Sequence, residues 1–255
     1  MSAFNIEVEG GKSVKLPTAG KYCDRDIVVS AKADGGSYDE GYADGEKAEH
    51  ARFWDVYQQN GNRTDYQTSF SGEGWTAESF RPKYNIAPQS AYMMFRNSRI
   101  EVDLPALLTS LGVTMNTSKC INFQYAFFGS RFTRLGEINV TGIGAAVPLS
   151  NTFESCSYLH TIDKVVCVEQ NRFAANTFAS CKVLENITFD GTIGASISFA
   201  QSPALSADSV QSIIDALKDL TGQTAQTLTF HATVGGNLTD EQKTAITAKN
   251  WTLVY

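Results

Sequence analysis

A twelve-residue phrase occurs twice in this chain and limits the possible folds more than any other feature. Residues 151–162 read NTFESCSYLHTI and residues 176–187 read NTFASCKVLENI, with seven identical positions at an offset of 25 residues. A unit of this length holds one short strand and one turn or helix, so it buries its apolar face only against another copy. Parallel strands of stacked copies lie about 4.8 Å apart. The predicted structural repeat core is Phe153, Cys156, Leu159, Ile162, Phe178, Cys181, Leu184 and Ile187.

Looser versions of the pattern flank the two central copies. Residues 94–104, MFRNSRIEVDL, resemble a first copy. Two other incomplete copies are read from Phe128, Phe132, Leu135 and Ile138, with one inserted residue, and from Phe199, Ser202 and Leu205. In this alignment Ile138, Ile162 and Ile187 recur at steps of 24 and 25 residues. The sequence therefore predicts a stack of unequal units.

Residues 205–255 carry clear helix and strand signals. Ser206 is the predicted N-cap of an amphipathic helix that ends at Gly222, and the strand QTLTFHA follows. Thr239 and Gln242 form a predicted capping box, and the closing strand is WTLVY. This alternation of helix and strand continues the repeat with longer helices.

Three regions precede the predicted repeats of residues 91–255. Residues 1–33 alternate apolar and polar side chains around turn residues at Gly10-Gly11, which predicts a small β attachment module. Residues 34–59 predict a linker and a helix, and residues 60–90 an aromatic cap region. The helix either packs on its own domain or joins two or three copies, with a trimer favoured. The candidate oligomer contacts are Tyr38, Tyr42, Phe53 and Trp54.

Charge and hydropathy argue against several classes of partner. The net charge is −6 and no Lys/Arg cluster stands out, so we expect no nucleic acid partner. No stretch approaches the roughly 18 apolar residues of a membrane helix, so no membrane insertion is expected. The N-terminus lacks a basic region followed by an apolar run, which favours folding in a cytoplasm.

The residues that commonly carry chemistry are scattered. His50, His160 and His231 lie far apart, and the carboxylate pairs Asp24/Asp26 and Glu101/Asp103 have no other groups converging on them. Such a pair on one face of a strand suits a glycosidase dyad or a divalent ion, but surface charge is the favoured interpretation. We therefore predict no enzyme, no catalytic residue, no metal and no cofactor.

The five cysteines are odd in number and lack CxxC spacing, which favours reduced, buried thiols over a disulfide framework or a zinc site. Cys156 and Cys181 occupy the same position of the two central copies, so their thiols are predicted to lie in neighbouring units. They are expected to fill space where the chain turns tightly. The five are Cys23, Cys120, Cys156, Cys167 and Cys181.

Aromatic residues are concentrated between residues 75 and 128, beyond the needs of a thin repeat core. Two interpretations remain open: the rings fill the interface between the cap and the repeats, or some face outward and bind a glycan or a partner protein. The candidate binding or interface aromatics are Trp75, Phe80, Tyr84, Tyr92 and Tyr125.

The two central copies resemble BspA-type leucine-rich repeats, whose units carry a Phe, a Cys, and then spaced Leu and Ile. The likeness covers residues 91–255 and is strongest over residues 151–187. It implies an α/β repeat fold: a leucine-rich-repeat-like solenoid with a parallel sheet, preceded here by the small β module and a helical segment. Members of this class generally act as adhesive or interaction scaffolds without catalysis.

The segments GGKSVKLPTAGKYCDRDIVV and FWDVYQQNGNRTDY are similar to segments of predicted virion proteins from phages and prophages of gut Firmicutes. This likeness implies a tail, baseplate or particle-surface protein that is assembled in the host cytoplasm. Its partners would be other virion proteins, through the N-terminal module, and a protein or glycan of the host surface. A bacterial cell-surface adhesin is the alternative, and a glycan-degrading spike enzyme is the less favoured one.

Overall fold

A computed structural model describes residues 5–8, 12–15 and 65–255. The chain divides into two compact units, residues 1–41 and 42–255. In the first unit, β1 (Asn5–Val8) pairs antiparallel with β2 (Lys12–Lys15), which confirms a strand on each side of the predicted turn. The following residues of the sequence predictions lie outside the described ranges: Cys23, Asp24, Asp26, Tyr38, Tyr42, His50, Phe53 and Trp54.

Residues 65–255 of the second unit mix helices with parallel strands. The helices are α1 (Leu104–Ser110), α2 (Ala207–Ala216), α3 (Ala232–Gly236) and α4 (Asp240–Ala248). The strands are β3 (Arg134–Asn139), β4 (Thr161–Cys167), β5 (Asn186–Gly191), β6 (Ile197–Phe199), β7 (Gln226–Phe230) and β8 (Trp251–Val254). They form two three-stranded parallel sheets, β3-β4-β5 and β6-β7-β8. The α/β class and the parallel pairing predicted from the sequence are confirmed.

The register of the first sheet corrects the sequence alignment. Leu135 lies opposite Ile162, which lies opposite Ile187, and all three side chains are buried. Ile138, aligned above with Ile162, instead lies opposite Val165. The cause is a connection into β3 that is one residue shorter than the connection into β4, where the alignment assumed an insertion.

Seven phenylalanine rings form one continuous stack, here called the phenylalanine column. Neighbouring ring centroids are 4.7 to 6.3 Å apart and neighbouring planes differ by 25° or less. Such offset stacking adds about 0.5–1.5 kcal/mol per pair beyond the burial of the rings. The column consists, in order, of Phe70, Phe95, Phe127, Phe153, Phe178, Phe199 and Phe230.

Two sequence interpretations change because of the column. Phe153 and Phe178 stack at 5.3 Å, as the repeated phrase predicts, but the ring on the other side of Phe153 is Phe127 and not Phe128. Phe128 is partly exposed. The column also begins at Phe70, inside residues 60–90, so the segment interpreted as a cap supplies the first ring of the same stack.

The repeated phrase also pairs buried polar groups with backbone carbonyls. The hydroxyls of Thr152 and Thr177 donate to the carbonyl oxygens of Phe123 and Leu149, at 3.1 and 2.7 Å. Both threonines are fully buried. An unpaired hydroxyl there would cost about 1–3 kcal/mol, so these bonds explain why the phrase keeps threonine directly before the column phenylalanine.

Helix α2 begins where the sequence predicts and ends earlier. The hydroxyl of Ser206 accepts a hydrogen bond from the Ser209 amide, which confirms the N-cap. The helix stops at Ala216 and not at Gly222, because the extended backbone of Leu217 forms a parallel bridge with Ile193. Tertiary pairing therefore overrides the local helix signal.

Helix α2 also closes the free edge of the first sheet. The Ser209 hydroxyl accepts from the Ile187 amide and the Ser212 hydroxyl accepts from the Phe189 amide, both at 2.9 Å. These amides belong to edge strand β5 and point away from β4. The serine hydroxyls thus replace the partners that a further strand would provide.

The capping box and the two strands predicted within residues 226–255 are confirmed. Thr239 and Gln242 form the capping box of α4, and strands β7 and β8 lie within QTLTFHA and WTLVY. Between β7 and α4 the structure adds the short helix α3, whose first amides are capped by Nδ1 of His231 accepting from Thr233.

Candidate functional site

A partly exposed group of aromatic and basic side chains forms beside the phenylalanine column. The rings of Tyr92 and Tyr125 meet edge to face at 6.3 Å, and Tyr125 lies 5.8 Å from Phe128. The guanidinium carbon of Arg96 lies 5.6 Å from the Phe128 ring centroid. Together with Met93, these residues are called the aromatic patch, and all five are partly exposed.

Two members of the aromatic patch occupy a backbone conformation that disfavours them. Met93 has φ of 56° and Tyr125 has φ of 58°, and each stands two residues before a ring of the phenylalanine column. The equivalent position before Phe153 holds Asn151, with φ of 57°. Asparagine tolerates this left-handed conformation, whereas other side chains lose about 1–2 kcal/mol there. A large side chain is therefore kept at some cost in stability where asparagine would serve the fold.

Arg96 brings a positive charge and hydrogen-bond donors to the patch. Its Nη1 lies 3.9 Å from the Met93 sulfur, a weak contact, and its guanidinium faces the Phe128 ring. Its Nε atom is buried and has no hydrogen-bond partner among the residues that the structure describes. A guanidinium held by a ring in this way contributes cation–π energy of about 0.5–1 kcal/mol at an exposed site and still has donors for a ligand.

The sequence-predicted aromatics divide between the core and the surface. Tyr92 and Tyr125 come together in the patch. Trp75 and Phe80 are buried and pack edge-on against Phe70, at centroid distances of 5.2 and 5.0 Å, so their rings fill the interior. Tyr84 is 42% exposed.

The candidate binding aromatics predicted from the sequence did not include three members of the patch: Met93, Arg96 and Phe128. One signal was present for Phe128: it is adjacent to Phe127, and only one of the two rings can occupy the column position. Phe127 faces the core, so Phe128 turns outward.

The outer face of the first sheet carries charges that neutralise one another. Arg134 donates to both carboxylate oxygens of Asp163, at 2.7 and 3.1 Å, and lies 3.6 Å from Asp103. The hydrogen bond that Arg134 donates to the Asp163 carboxylate is the main cause that raises the pKa of Arg134. Lys164 lies 3.6 Å from both Glu137 and Asp190.

The candidate acid pair Glu101/Asp103 does not converge on a reaction site. Asp103 is the N-cap of α1: its Oδ1 accepts from the Ala106 amide at 2.9 Å, while Oδ2 faces Arg134. Both oxygens of this carboxylate therefore have structural partners, and Glu101 is exposed.

The four described cysteines are buried and free. Burial is the main cause that raises the pKa of Cys120 to about 11 and the pKa values of Cys156 and Cys167 to about 12. The thiol of Cys156 donates to the Phe127 carbonyl and that of Cys181 to the Phe153 carbonyl, each at 2.9 Å. These two thiols therefore form hydrogen bonds to the backbone of the preceding turn, besides filling space.

Within residues 65–255, no three His, Cys, Asp or Glu side chains gather in a way that could hold a metal ion. His160 is exposed, and His231 caps α3. None of the described helices is long and apolar enough to cross a membrane.

Comparisons with protein families, with curated proteins and with solved structures gave no match to this chain.

Proposed function

We propose that residues 65–255 form a leucine-rich-repeat-like solenoid of the BspA type. The phenylalanine column supports this, since its rings come from successive stretches of the chain. The pairing of β3 with β4 and of β4 with β5 also supports it, because facing residues in those strands are 24 to 27 positions apart. Each unit would bury its apolar face against the next.

The function proposed for residues 65–255 is non-catalytic binding at the aromatic patch. The observation that carries the proposal is the presence of two large side chains, Met93 and Tyr125, at left-handed positions. Thr68 and Asn151 have the same backbone conformation in equivalent turns, so the fold sets the conformation, and the size of the two side chains points to a role beyond the fold. Rings and an arginine on a rigid support are the residue types that dominate binding energy at protein interfaces.

The biological setting proposed is the surface of a phage particle, in a tail or baseplate. The N-terminal module would attach the chain to other virion proteins, residues 34–59 would join copies, with a trimer favoured, and the patch would contact a host surface protein or glycan. A bacterial cell-surface adhesin would use the same patch, with a different anchor.

Tyr125→Asn tests the patch, because asparagine fits the left-handed backbone and removes the ring. The purified variant is expected to be as stable as the natural protein or about 1 kcal/mol more stable. Its binding to intact cells of the bacterium that carries the gene, detected with a fluorescent label on the protein, is expected to be at least tenfold weaker than that of the natural protein.

Tyr158→Asn is the matched control, since Tyr158 is 38% exposed and also contacts an arginine, Arg131, at 5.4 Å outside the patch. The control is expected to bind normally. Equal binding by both variants and the natural protein would refute the patch as the contact surface. Mass spectrometry of purified particles tests the setting separately, because a chain absent from all particles favours the adhesin.

A further inference from the structure

A polar cleft of about 340 Å³ opens between the loop after α1 and strand β3. Its walls are residues 114–118 of the loop and Glu137 and Asn139 of the strand. Sites for small molecules begin at about 300 Å³, so the space fits a single ring-sized ligand. None of these residues belongs to the aromatic patch or to the charged contacts of Arg134.

The two walls are held together by a buried threonine. The Thr117 hydroxyl accepts from the Asn139 amide at 2.7 Å and donates to the Asn139 carbonyl at 3.0 Å. Thr117 is 2% exposed. The loop is therefore fixed against β3 before any ligand arrives, which lowers the entropic cost of binding.

Two amide groups in the walls have donors to spare. Oδ1 of Asn139 accepts from the amide and the hydroxyl of Thr141, at 3.1 and 2.7 Å. Oδ1 of Asn116 accepts from the Ser118 amide at 3.0 Å. These contacts orient both side chains, and in the described part of the chain neither Nδ2 group has a hydrogen-bond acceptor.

The carboxylate of Glu137 complements these donors. Its Oε2 lies 3.6 Å from the ammonium group of Lys164, on the outer face of the sheet. That nearby positive charge disfavours a metal cation in the cleft, and the lack of a lysine or arginine in its walls disfavours a phosphate. A neutral molecule that both donates and accepts hydrogen bonds suits the remaining groups.

We propose that this cleft binds one neutral saccharide ring through neighbouring hydroxyl groups. One sugar hydroxyl donates to Glu137, and the Nδ2 groups of Asn116 and Asn139 donate to sugar oxygens. The hydroxyl of Thr114 adds a polar contact from the wall of the cleft. This inference does not depend on the proposed function, because it uses different residues and a different ligand contact.

Saturation-transfer NMR with the natural protein tests the proposal, using the methyl glycosides of glucose, mannose and galactose at about 10 mM each. A single-ring ligand with a few hydrogen bonds is expected to bind at about 1 mM, which corresponds to about −4 kcal/mol. In a nitrogen-15 spectrum, the side-chain amide signals of Asn116 and Asn139 are expected to shift with the same concentration dependence.

Glu137→Gln and Asp190→Asn form a matched pair, because each removes one of the two carboxylates 3.6 Å from Lys164 and only Glu137 lines the cleft. Glu137→Gln is expected to weaken binding about tenfold or more, since hydrogen bonds to charged groups contribute about 1.5–3 kcal/mol. Asp190→Asn is expected to leave it unchanged. Should Glu137→Gln fail to fold, Thr114→Val replaces it, with the exposed Thr188→Val as its control.

The proposal is overturned if none of the three glycosides gives a signal with the natural protein. An equal loss in Glu137→Gln and Asp190→Asn overturns it as well, because the effect would then come from Lys164. The Tyr125→Asn variant is expected to keep the sugar signal. Loss of cell binding through the aromatic patch and loss of sugar binding in the cleft are therefore distinguishable.

Discussion

A buried serine beside the phenylalanine column, Ser202, provides a quantitative test of the packing. Ser202 stands three residues after Phe199, the position that Cys181 holds after Phe178, and in both places the backbone amide donates to the phenylalanine carbonyl. The Cys181 thiol also reaches the Phe153 carbonyl at 2.9 Å. The Ser202 hydroxyl is fully buried and has no hydrogen-bond partner in residues 65–255. A hydroxyl buried without a partner costs about 1–3 kcal/mol.

Ser202→Ala removes that cost, and Ser202→Cys removes it while restoring the side chain found in the two central copies. Each is expected to raise the free energy of unfolding by about 1 kcal/mol, which shifts Tm upward by about 2–4 °C in a chain of this size. The reverse change, Cys181→Ser, leaves a hydroxyl in the thiol's place and is expected to lower the free energy of unfolding by about 1–3 kcal/mol.

Urea unfolding with reducing agent present, followed by circular dichroism and confirmed by a thermal scan, measures these changes. Ser157→Ala is the control, because Ser157 is exposed and its substitution is expected to change stability by less than about 0.5 kcal/mol. If Ser202→Ala and Ser202→Cys both lower the free energy of unfolding, the hydroxyl forms a stabilising hydrogen bond and the assignment of an unpaired group is wrong.

Three other perturbations test different parts of the fold. Phe153→Ala removes a ring that is stacked on both sides and is expected to lower the free energy of unfolding, measured with urea, by about 3–5 kcal/mol. A decrease below about 1 kcal/mol would show that the phenylalanine column does not stabilise residues 65–255. Gly191→Ala places a Cβ against the Cys167 carbonyl oxygen, at a backbone φ of 113°, and is expected to be clearly destabilising. Gly144→Ala has open space around the new Cβ and is expected to be neutral or stabilising by about 0.4–1 kcal/mol. Burial raises the pKa of the Cys156 thiol from 9.0 to about 12, so the contribution of the protonated thiol to stability is complete below pH 9 and is lost as the pH rises to 12. Cys156→Ala is therefore expected to make the free energy of unfolding fall less steeply between pH 9 and pH 12. An unchanged slope would show that the Cys156 thiol does not titrate in this way.

The sequence predicted the elements whose signals are local. Ser206 and the pair Thr239/Gln242 cap their helices as expected, because capping depends on residues within one turn of the helix. The end of α2 was predicted six residues too late, since the bridge between Leu217 and Ile193 depends on a distant strand segment that no local pattern shows.

Alignment of the weaker copies was wrong for a different physical reason. Phe127 and Phe128 are adjacent and alike, so spacing alone did not show which one enters the column. Choosing Phe128 required an inserted residue before β3 and matched Ile138 with Ile162, whereas the sheet pairs Leu135 with Ile162. The choice also concealed the exposed face of Phe128, and with it most of the aromatic patch.

The polar cleft could not be predicted from sequence, because its two walls are joined by the hydroxyl of one threonine, which bonds a residue 22 positions away. Asn116, Thr117 and Ser118 resemble an ordinary polar loop. Only the contacts of Thr117 with Asn139 bring that loop to Glu137.

The serine hydroxyls on α2 have a consequence for how copies of this chain can assemble. With the amides of Ile187 and Phe189 already bonded, these two donors of the β5 edge are closed to a neighbouring molecule. Growth of the first sheet from one molecule into the next would have to break both serine contacts, so it is disfavoured at this edge, as is fibril-like polymerisation through it. Ordered association on that side of the molecule is then expected to use side-chain surfaces, whose geometry can limit the number of copies.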